Sequence, residues 1–309
     1  MDVLKPVGRF APTPSGRMHL GNVFAAMMAW LSVKSRDGEM VLRMEDLDTL
    51  RTSAEFAETL RDDLRWLGFT WDRETPAQST RGKVYDTYFE RLRELDLLYP
   101  CYCTRSQLHS VNAPHLSDGT YVYPGTCRNL TEAQRAAFRR APAWRVKVDD
   151  RVWEFTDLIQ GNYSLNLSTD CGDMVVRRAD GVYVYQLAVT VDDGEAGVNE
   201  VVRGRDLLSS APRQMYLQEL FGFAHPAYAH VPMLLAPDGR RLSKRDRDLD
   251  LGEIRRHMTR EELLGILACS CGLIPKREAV SLEDLTAQFS FGVISPESIC
   301  LDRAGWADI

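Results

Sequence analysis

The order strand, Pro/Gly loop, apolar helix at the start of the chain constrains its fold more than any other feature. Val7 to Ala11 reads as a buried strand and Leu20 to Val33 as an apolar helix, and the loop APTPSGRMHLGN, residues 11–22, joins them. Met40 to Met44 reads as a second strand. Ser53 to Leu67 reads as a helix, with Phe56, Leu60, Leu64 and Leu67 on one face, Thr52 or Ser53 as cap and Gly68 as stop. A further helix is expected from Arg81 to Leu95. Strands alternating with helices predict an α/β fold with a Rossmann-type, doubly wound parallel sheet, in which ligands bind outside the carboxyl ends of the strands. The loops after the strands are therefore where chemistry is expected.

Composition narrows the class without naming a function. The 309 residues are 44% hydrophobic and 27% charged, the balance of a globular protein and not of a disordered or collagenous chain. No run of eighteen apolar residues occurs, and the N-terminus lacks the apolar stretch of a signal peptide, so a cytoplasmic protein is expected. Seven cysteines fit reduced thiols, and the pair Cys101 and Cys103 in CYC reads more as metal than as disulfide. A net charge of −6 averages over the whole surface and leaves room for a local nucleic-acid-binding patch.

Two loops have phosphate-binding chemistry. In the first, Pro12 and Pro14 stiffen the turn, Gly16 and Gly21 allow close approach of backbone to a ligand, and His19 and Asn22 stand at a helix N-terminus. The second, GRRLSKRDR at residues 239–247, has a local charge of +4. Alone, the first loop also reads as a surface turn and the second as a solvated charge run.

Together they resemble the two signature motifs of class I aminoacyl-tRNA synthetases. RFAPTPSG from Arg9, RMEDLD from Arg43, YQLAVTVDD from Tyr185 and VVRGRDLL from Val201 are similar to the glutamyl branch, in collinear order over about residues 7–250. The resemblance implies that L-glutamate is activated with ATP and Mg²⁺ to an adenylate. Pro12, Ser15, Gly16, His19, Gly21 and Asn22 would contact ATP together with Arg241, Leu242, Ser243, Lys244 and Arg245. His19 and Lys244 would be the catalytic pair, Lys244 stabilising the charge that develops on phosphate. Arg9, Phe10, Ala11, Pro12, Thr13, Glu45, Tyr185 and Arg203 would form the amino-acid pocket. Arg9 and Arg203 would take the side-chain carboxylate, for which a guanidinium fork is suited, and Glu45 the ammonium. Without the motif, Arg9 and Glu45 also read as strand-end ion pairs.

Residues 100–170 read as an insertion. Cys101, Cys103 and Cys127 could supply three thiolates to a tetrahedral zinc, with His109, His115, Tyr121 and Tyr123 competing for the fourth place, or could be free structural thiols. The C-x-C and Y-x-x-x-C arrangement is similar to that of glutamyl-Q tRNA(Asp) synthetases, which implies Tyr123 as fourth ligand and a structural zinc. The remaining thiols, Cys171, Cys269, Cys271 and Cys300, are expected to be core or surface groups. The expected organisation is residues 1–99 and 171–250 as the halves of the catalytic fold, flanking the insertion, and a short helical region over 251–309 with a helix at Glu261 to Cys271.

Only 62 residues follow Arg247, so the further anticodon-binding domain of a full glutamyl-tRNA synthetase is expected to be missing. Val189 also stands where tRNA-charging relatives usually have asparagine. Both point towards enzymes that attach glutamate to the wobble-position queuosine of tRNA(Asp) and activate it without tRNA. A monomer with no membrane partner is expected, holding tRNA through arginines such as Arg205, Arg213, Arg255 and Arg256. The competing readings are a glutamyl-tRNA synthetase core charging tRNA(Glu), a non-catalytic nucleotide-binding paralogue, and a generic nucleotidyltransferase.

Overall fold

The computed structural model describes residues 5–104, 106–107, 122–236, 239–240 and 250–301. The first half alternates β1 (Val7–Phe10), α1 (Leu20–Lys34), β2 (Glu39–Leu42), α2 (Ala54–Trp66) and β3 (Arg73–Glu74). Next come α3 (Gly82–Glu94), β4 (Leu98–Cys101), α4 (Glu132–Ala136), β5 (Ala143–Val146), β6 (Val152–Asp157), β7 (Gly161–Asn166), α5 (Leu167–Asp170) and β8 (Met174–Arg177). The rest runs α6 (Tyr185–Glu195), β9 (Glu200–Gly204), α7 (Ser210–Phe221), β10 (Ala227–Val231), β11 (Leu234–Leu235), α8 (Leu251–His257), α9 (Arg260–Ser270), α10 (Leu282–Gln288) and β12 (Ile299–Cys300).

β1, β2 and β3 are parallel neighbours, as are β9 and β10. The two sets meet at β1 and β9, where the Asn199 N–H donates to the Val7 carbonyl and the Asn199 Oδ1 accepts from the Val7 N–H at 2.7 Å. The sheet therefore reverses direction of growth between β1 and β9, the place where a doubly wound fold opens its ligand crevice. α1 is apolar nearly all round because it is covered twice. Its side chains pack on the sheet and share one core with Leu263, Leu264 and Leu267 of α9 and Leu285 of α10.

Local rules explain most boundaries. Ser53 caps α2 by accepting from the Phe56 N–H at 3.1 Å, and α9 opens on a reciprocal Thr259–Glu262 capping box. Phe56 departs from its expected place. Leu60, Leu64 and Leu67 are buried, but Phe56, one turn earlier, projects beyond the core and is exposed. Thiols follow the expectation of core and surface: Cys171 and Cys271 are buried and Cys300 is exposed.

Residues around the expected insertion form an antiparallel sheet, β4-β5-β8, and a hairpin, β6-β7. That sheet takes strands from both sides of the 99/100 and 170/171 boundaries. The region after 250 is not helical alone, since β12 returns to pair in parallel with β11. No helix among the described residues is long and apolar enough to cross a membrane.

Gly265 tests how closely α9 is packed. A Cβ there would lie 1.8 Å from the Glu278 carbonyl oxygen, whereas alanine in a helix normally gains about 0.5–1 kcal/mol over glycine. Gly265→Ala is expected to lower stability by more than about 1 kcal/mol in urea unfolding. A neutral or stabilising result would mean that the 278–280 segment yields freely.

Candidate active site

At the sheet's switch point a cavity of about 670 Å³ opens between the carboxyl ends of β1, β2, β9 and β10. Its wall includes Arg9, Phe10, Ala11, Pro12, Thr13, Ser15, Gly16, His19, Gly21 and Asn22 from β1 and the first loop. Glu45 joins them after β2, Tyr185 from the start of α6 and Arg203 from β9. Arg17, Met18, Asp206, Leu207 and Met233, which sequence reasoning did not single out, also line it. Val189 does not; it is buried within α6.

The first loop is held by contacts rather than by stiffness alone. The Glu45 N–H donates to the Pro12 carbonyl and the Ser53 N–H to the Pro14 carbonyl, so the path after β2 continues alongside the path after β1. Asp63, fully buried on α2, accepts from Arg17 at 2.6 Å and pairs with Arg255 of α8 at 3.2 Å. Gly16 has φ of 137°, which L residues rarely adopt, so backbone shape and not lack of space demands glycine there. His19 is the N-cap of α1: its Nδ1 accepts from the Gly21 N–H at 3.1 Å. The N-terminus of α1 thus faces the cavity with its positive dipole end.

The other segment expected to bind phosphate, with Arg241, Leu242, Ser243, Lys244 and Arg245, lies outside the described residues. Its far side is tied to the first loop, since Asp250 bridges to His19 and the Leu251 N–H donates to the Met18 carbonyl.

Charge is concentrated behind the cavity. Arg43, fully buried, contacts Asp193 at 2.6 Å and Glu45 at 3.0 Å, with Asp192 at 3.7 Å. Arg9 stands 3.5 Å from Asp193 and donates to the Val202 carbonyl. Burial pushes Asp193 up, but Arg43 and Arg9 outweigh it and hold the carboxyl below its usual range. For Glu45 burial wins over Arg43 and raises its pKa. Burial likewise raises Tyr185, against the pull of Arg203. Arg203 donates to Gln214 Oε1 at 2.8 Å, to the Leu207 carbonyl at 3.2 Å and to His230 Nε2 at 3.0 Å, with Tyr185 OH at 3.5 Å.

The chain has matches among known proteins. A model of the family described as tRNA synthetases class I (E and Q), catalytic domain, matches residues 6–294. The chain belongs to that family. A glutamyl-Q tRNA(Asp) synthetase from Symbiobacterium thermophilum is 44% identical over 307 residues, 94% of each chain. One from Nitratidesulfovibrio vulgaris is 45% identical over 282 residues, 87% of each. Among solved structures, a glutamate tRNA ligase from Elizabethkingia meningosepticum in complex with its amino acid superposes with a TM-score of 0.82 at 27% identity, covering 97% of this chain and 68% of that one. The fold is thus the class I synthetase catalytic fold, and membership of the family implies ATP with Mg²⁺.

Away from the cavity, this synthetase gathers Cys101, Cys103 and Cys127, whose sulfurs all lie within 4.8 Å of one another. Cys103 and Cys127 sulfurs are 3.6 Å apart, and Tyr123 OH stands 3.5 Å from Cys101 Sγ and 3.9 Å from Cys103 Sγ. Ligands on a tetrahedral zinc would be separated by about 3.8 Å for two sulfurs and about 3.5 Å for sulfur and oxygen. Burial and the Cys101 and Cys127 thiols push Cys103 up, whereas Tyr123 and Arg145 hold Cys101 down against its burial. Arg145 donates to Cys101 Sγ and lies over the Tyr123 ring at 3.6 Å. His109, His115 and Tyr121, the other contenders for the fourth place, lie outside the described residues.

The arginines expected at a tRNA surface separate. Arg213 is buried and is withdrawn from that role, because α7 is enclosed on nearly all sides. Arg256 remains largely exposed and pairs only with Glu253 among the described residues, while Arg205 donates to the Pro296 carbonyl.

Removing Asp193 would leave Arg43 and Arg9 buried without their main counter-charge. Asp193→Ala is expected to cost about 3–5 kcal/mol of stability in urea unfolding. A loss below about 1 kcal/mol would show that Asp192 and Glu45 suffice for Arg43.

Proposed function

We propose that the chain activates L-glutamate with ATP and transfers it to the queuosine base of tRNA(Asp). The observation that carries this reading is the pairing of two arginines, Arg9 and Arg203, on one cavity, in a chain that aligns over 94% of its length with a relative of that name. Two cations suit a side-chain carboxylate and would be wasted on the neutral amide of glutamine. Glu45, held by Arg43, receives the substrate ammonium, which adds a second positive neighbour to a carboxylate that burial otherwise raises.

Activation requires the glutamate α-carboxylate to attack the α-phosphorus of ATP and pyrophosphate to leave. The chain needs no nucleophile of its own for this step; positioning and charge neutralisation do the work. His19, Gly21 and the start of α1 receive the nucleotide, with Pro12, Ser15, Gly16 and Asn22 shaping the same wall. Arg241, Leu242, Ser243, Lys244 and Arg245 close over the phosphates, and Lys244 offsets the charge that builds up on them. Mg²⁺ arrives with ATP. The reaction belongs in the cytoplasm, where its tRNA substrate is, and a single chain suffices for it.

Cys101, Cys103, Tyr123 and Cys127 hold one zinc, which with four protein ligands has no open position and only braces the insertion against β4. Arg145 offsets part of the anionic charge of that ligand set. The insertion over 100–170 and the catalytic halves over 1–99 and 171–250 then divide the labour between tRNA contact and adenylate formation.

The deciding experiment supplies ATP and labelled glutamate to two tRNA(Asp) samples that differ only in queuosine or guanosine at the wobble position. Label is expected on the queuosine sample alone and on the modified base. Label on the 3′ end of tRNA(Glu) would mean that the chain is a tRNA-charging core instead. In the same preparation ATP–pyrophosphate exchange with glutamate is expected to run without tRNA, and Lys244→Ala to slow it about 100-fold, the equivalent of about 3 kcal/mol. For the metal, one zinc per chain is expected by elemental analysis and its loss in Cys127→Ser. Full zinc retention in that variant would remove Cys127 from the ligand set.

A further inference from the structure

Arg203 is reached from behind by a residue of the insertion. The β6-β7 hairpin ends in Asp157, which is fully buried, and the Leu158 N–H donates to the Tyr228 carbonyl of β10. Asp157 Oδ2 lies 2.6 Å from His230 Nδ1, and its oxygens also accept from the backbone N–H groups of Ile159, Gln160 and His230. His230, on β10, sits directly opposite Arg203 of β9 in the parallel register. Its Nε2 is 3.0 Å from Arg203 Nε.

The chemistry of this chain of contacts favours one proton arrangement over donation from the ring to the Leu207 carbonyl. Asp157 takes three backbone N–H donors and is held below its usual range by His230 and those donors against its burial, so it is an acceptor only and the hydrogen shared with it belongs to His230 Nδ1. An arginine Nε–H is a donor only, so His230 Nε2 must present a lone pair to it. The ring is therefore neutral and in a single tautomer, in keeping with burial that pushes it down to about 4 against the pull of Asp157. With Nε held by His230, Nη1 by Gln214 and Nη2 by the Leu207 carbonyl, the guanidinium cannot rotate about its last bonds.

We propose that Asp157 and His230 are positioning residues for the amino-acid site: the insertion's hairpin fixes the His230 tautomer, and that tautomer sets the orientation in which Arg203 meets the substrate carboxylate. The proposal rests on the reading of the cavity as a glutamate site. Neither residue lines the cavity. They act through Arg203, much as an orienting carboxylate acts through a catalytic histidine elsewhere, where replacing it by its amide inverts the tautomer.

The test combines a spectroscopic and a kinetic measurement on the full chain. Long-range proton–nitrogen correlation with ¹⁵N-labelled histidine and arginine should show His230 with a protonated Nδ1 and bare Nε2, and an exchange-protected Arg203 Nε–H. A protonated Nε2 in the unmutated protein would overturn the proposal without any variant having to fold. Asp157→Asn should move the proton to Nε2, turning it against Arg203 Nε–H. In ATP–pyrophosphate exchange it should raise the KM for glutamate about tenfold or more while the KM for ATP stays within about twofold, and it should narrow the preference for glutamate over glutamine. A folded Asp157→Asn protein with an unchanged glutamate KM, or with both KM values raised alike, would also overturn it. If the unmutated chain shows no exchange with glutamate, the functional reading fails, and the tautomer measurement still decides the positioning claim.

Discussion

The buried contact between Arg43 and Asp193 is the constraint on which the rest of the site depends. It joins residues 150 positions apart, one just beyond β2 and the other in the last turn of α6. A guanidinium removed from water costs several kcal/mol unless its partners are placed well, so the end of β2 and α6 can take up only a relative position that satisfies it. That position brings Tyr185, in the first turn of α6, over Arg203. It sets Glu45 beside the first loop, where its N–H meets the Pro12 carbonyl. The end of the cavity lined by Arg9, Glu45, Tyr185 and Arg203 is thus a by-product of neutralising a buried charge.

The two arginines that face the cavity are each anchored from the protein side. Arg9 spends one nitrogen on the Val202 carbonyl and stands close to Asp193. Arg203 is held through Nε, Nη1 and Nη2 by groups from three different elements. Such anchoring matters because a flexible cation would lose side-chain entropy on meeting a ligand, whereas a prearranged one loses little.

Much of this was legible in local patterns. The Pro/Gly loop, the α1 and α2 helices and the CYC thiols follow from spacing and residue type, and the cavity wall contains every expected residue of the first loop and of the amino-acid pocket. Other features carried no local signal. Asp157 is one acid in a hairpin and His230 one histidine in a strand; nothing in their spacing marks their meeting. Phe56 fitted the helical stripe and yet is exposed, because periodicity says which face a residue occupies and not how far the core extends along the helix. Arg213 looked like surface charge and is enclosed, because α7 runs beneath other elements that its own sequence does not announce.

By itself, then, the sequence determined the alternation of strands and helices, the shape of the Pro/Gly loop after the first strand, and the kinds of charge available at the strand ends. These are consequences of short-range stereochemistry and of the periods of 2 and 3.6 residues. Only the tertiary structure decided which charges face one another, which arginine is buried, and that β12 returns to β11 and a hairpin tip to His230. Those outcomes depend on the cost of leaving a particular charge or backbone group unpaired once water is excluded, and that cost is set by neighbours from distant parts of the chain.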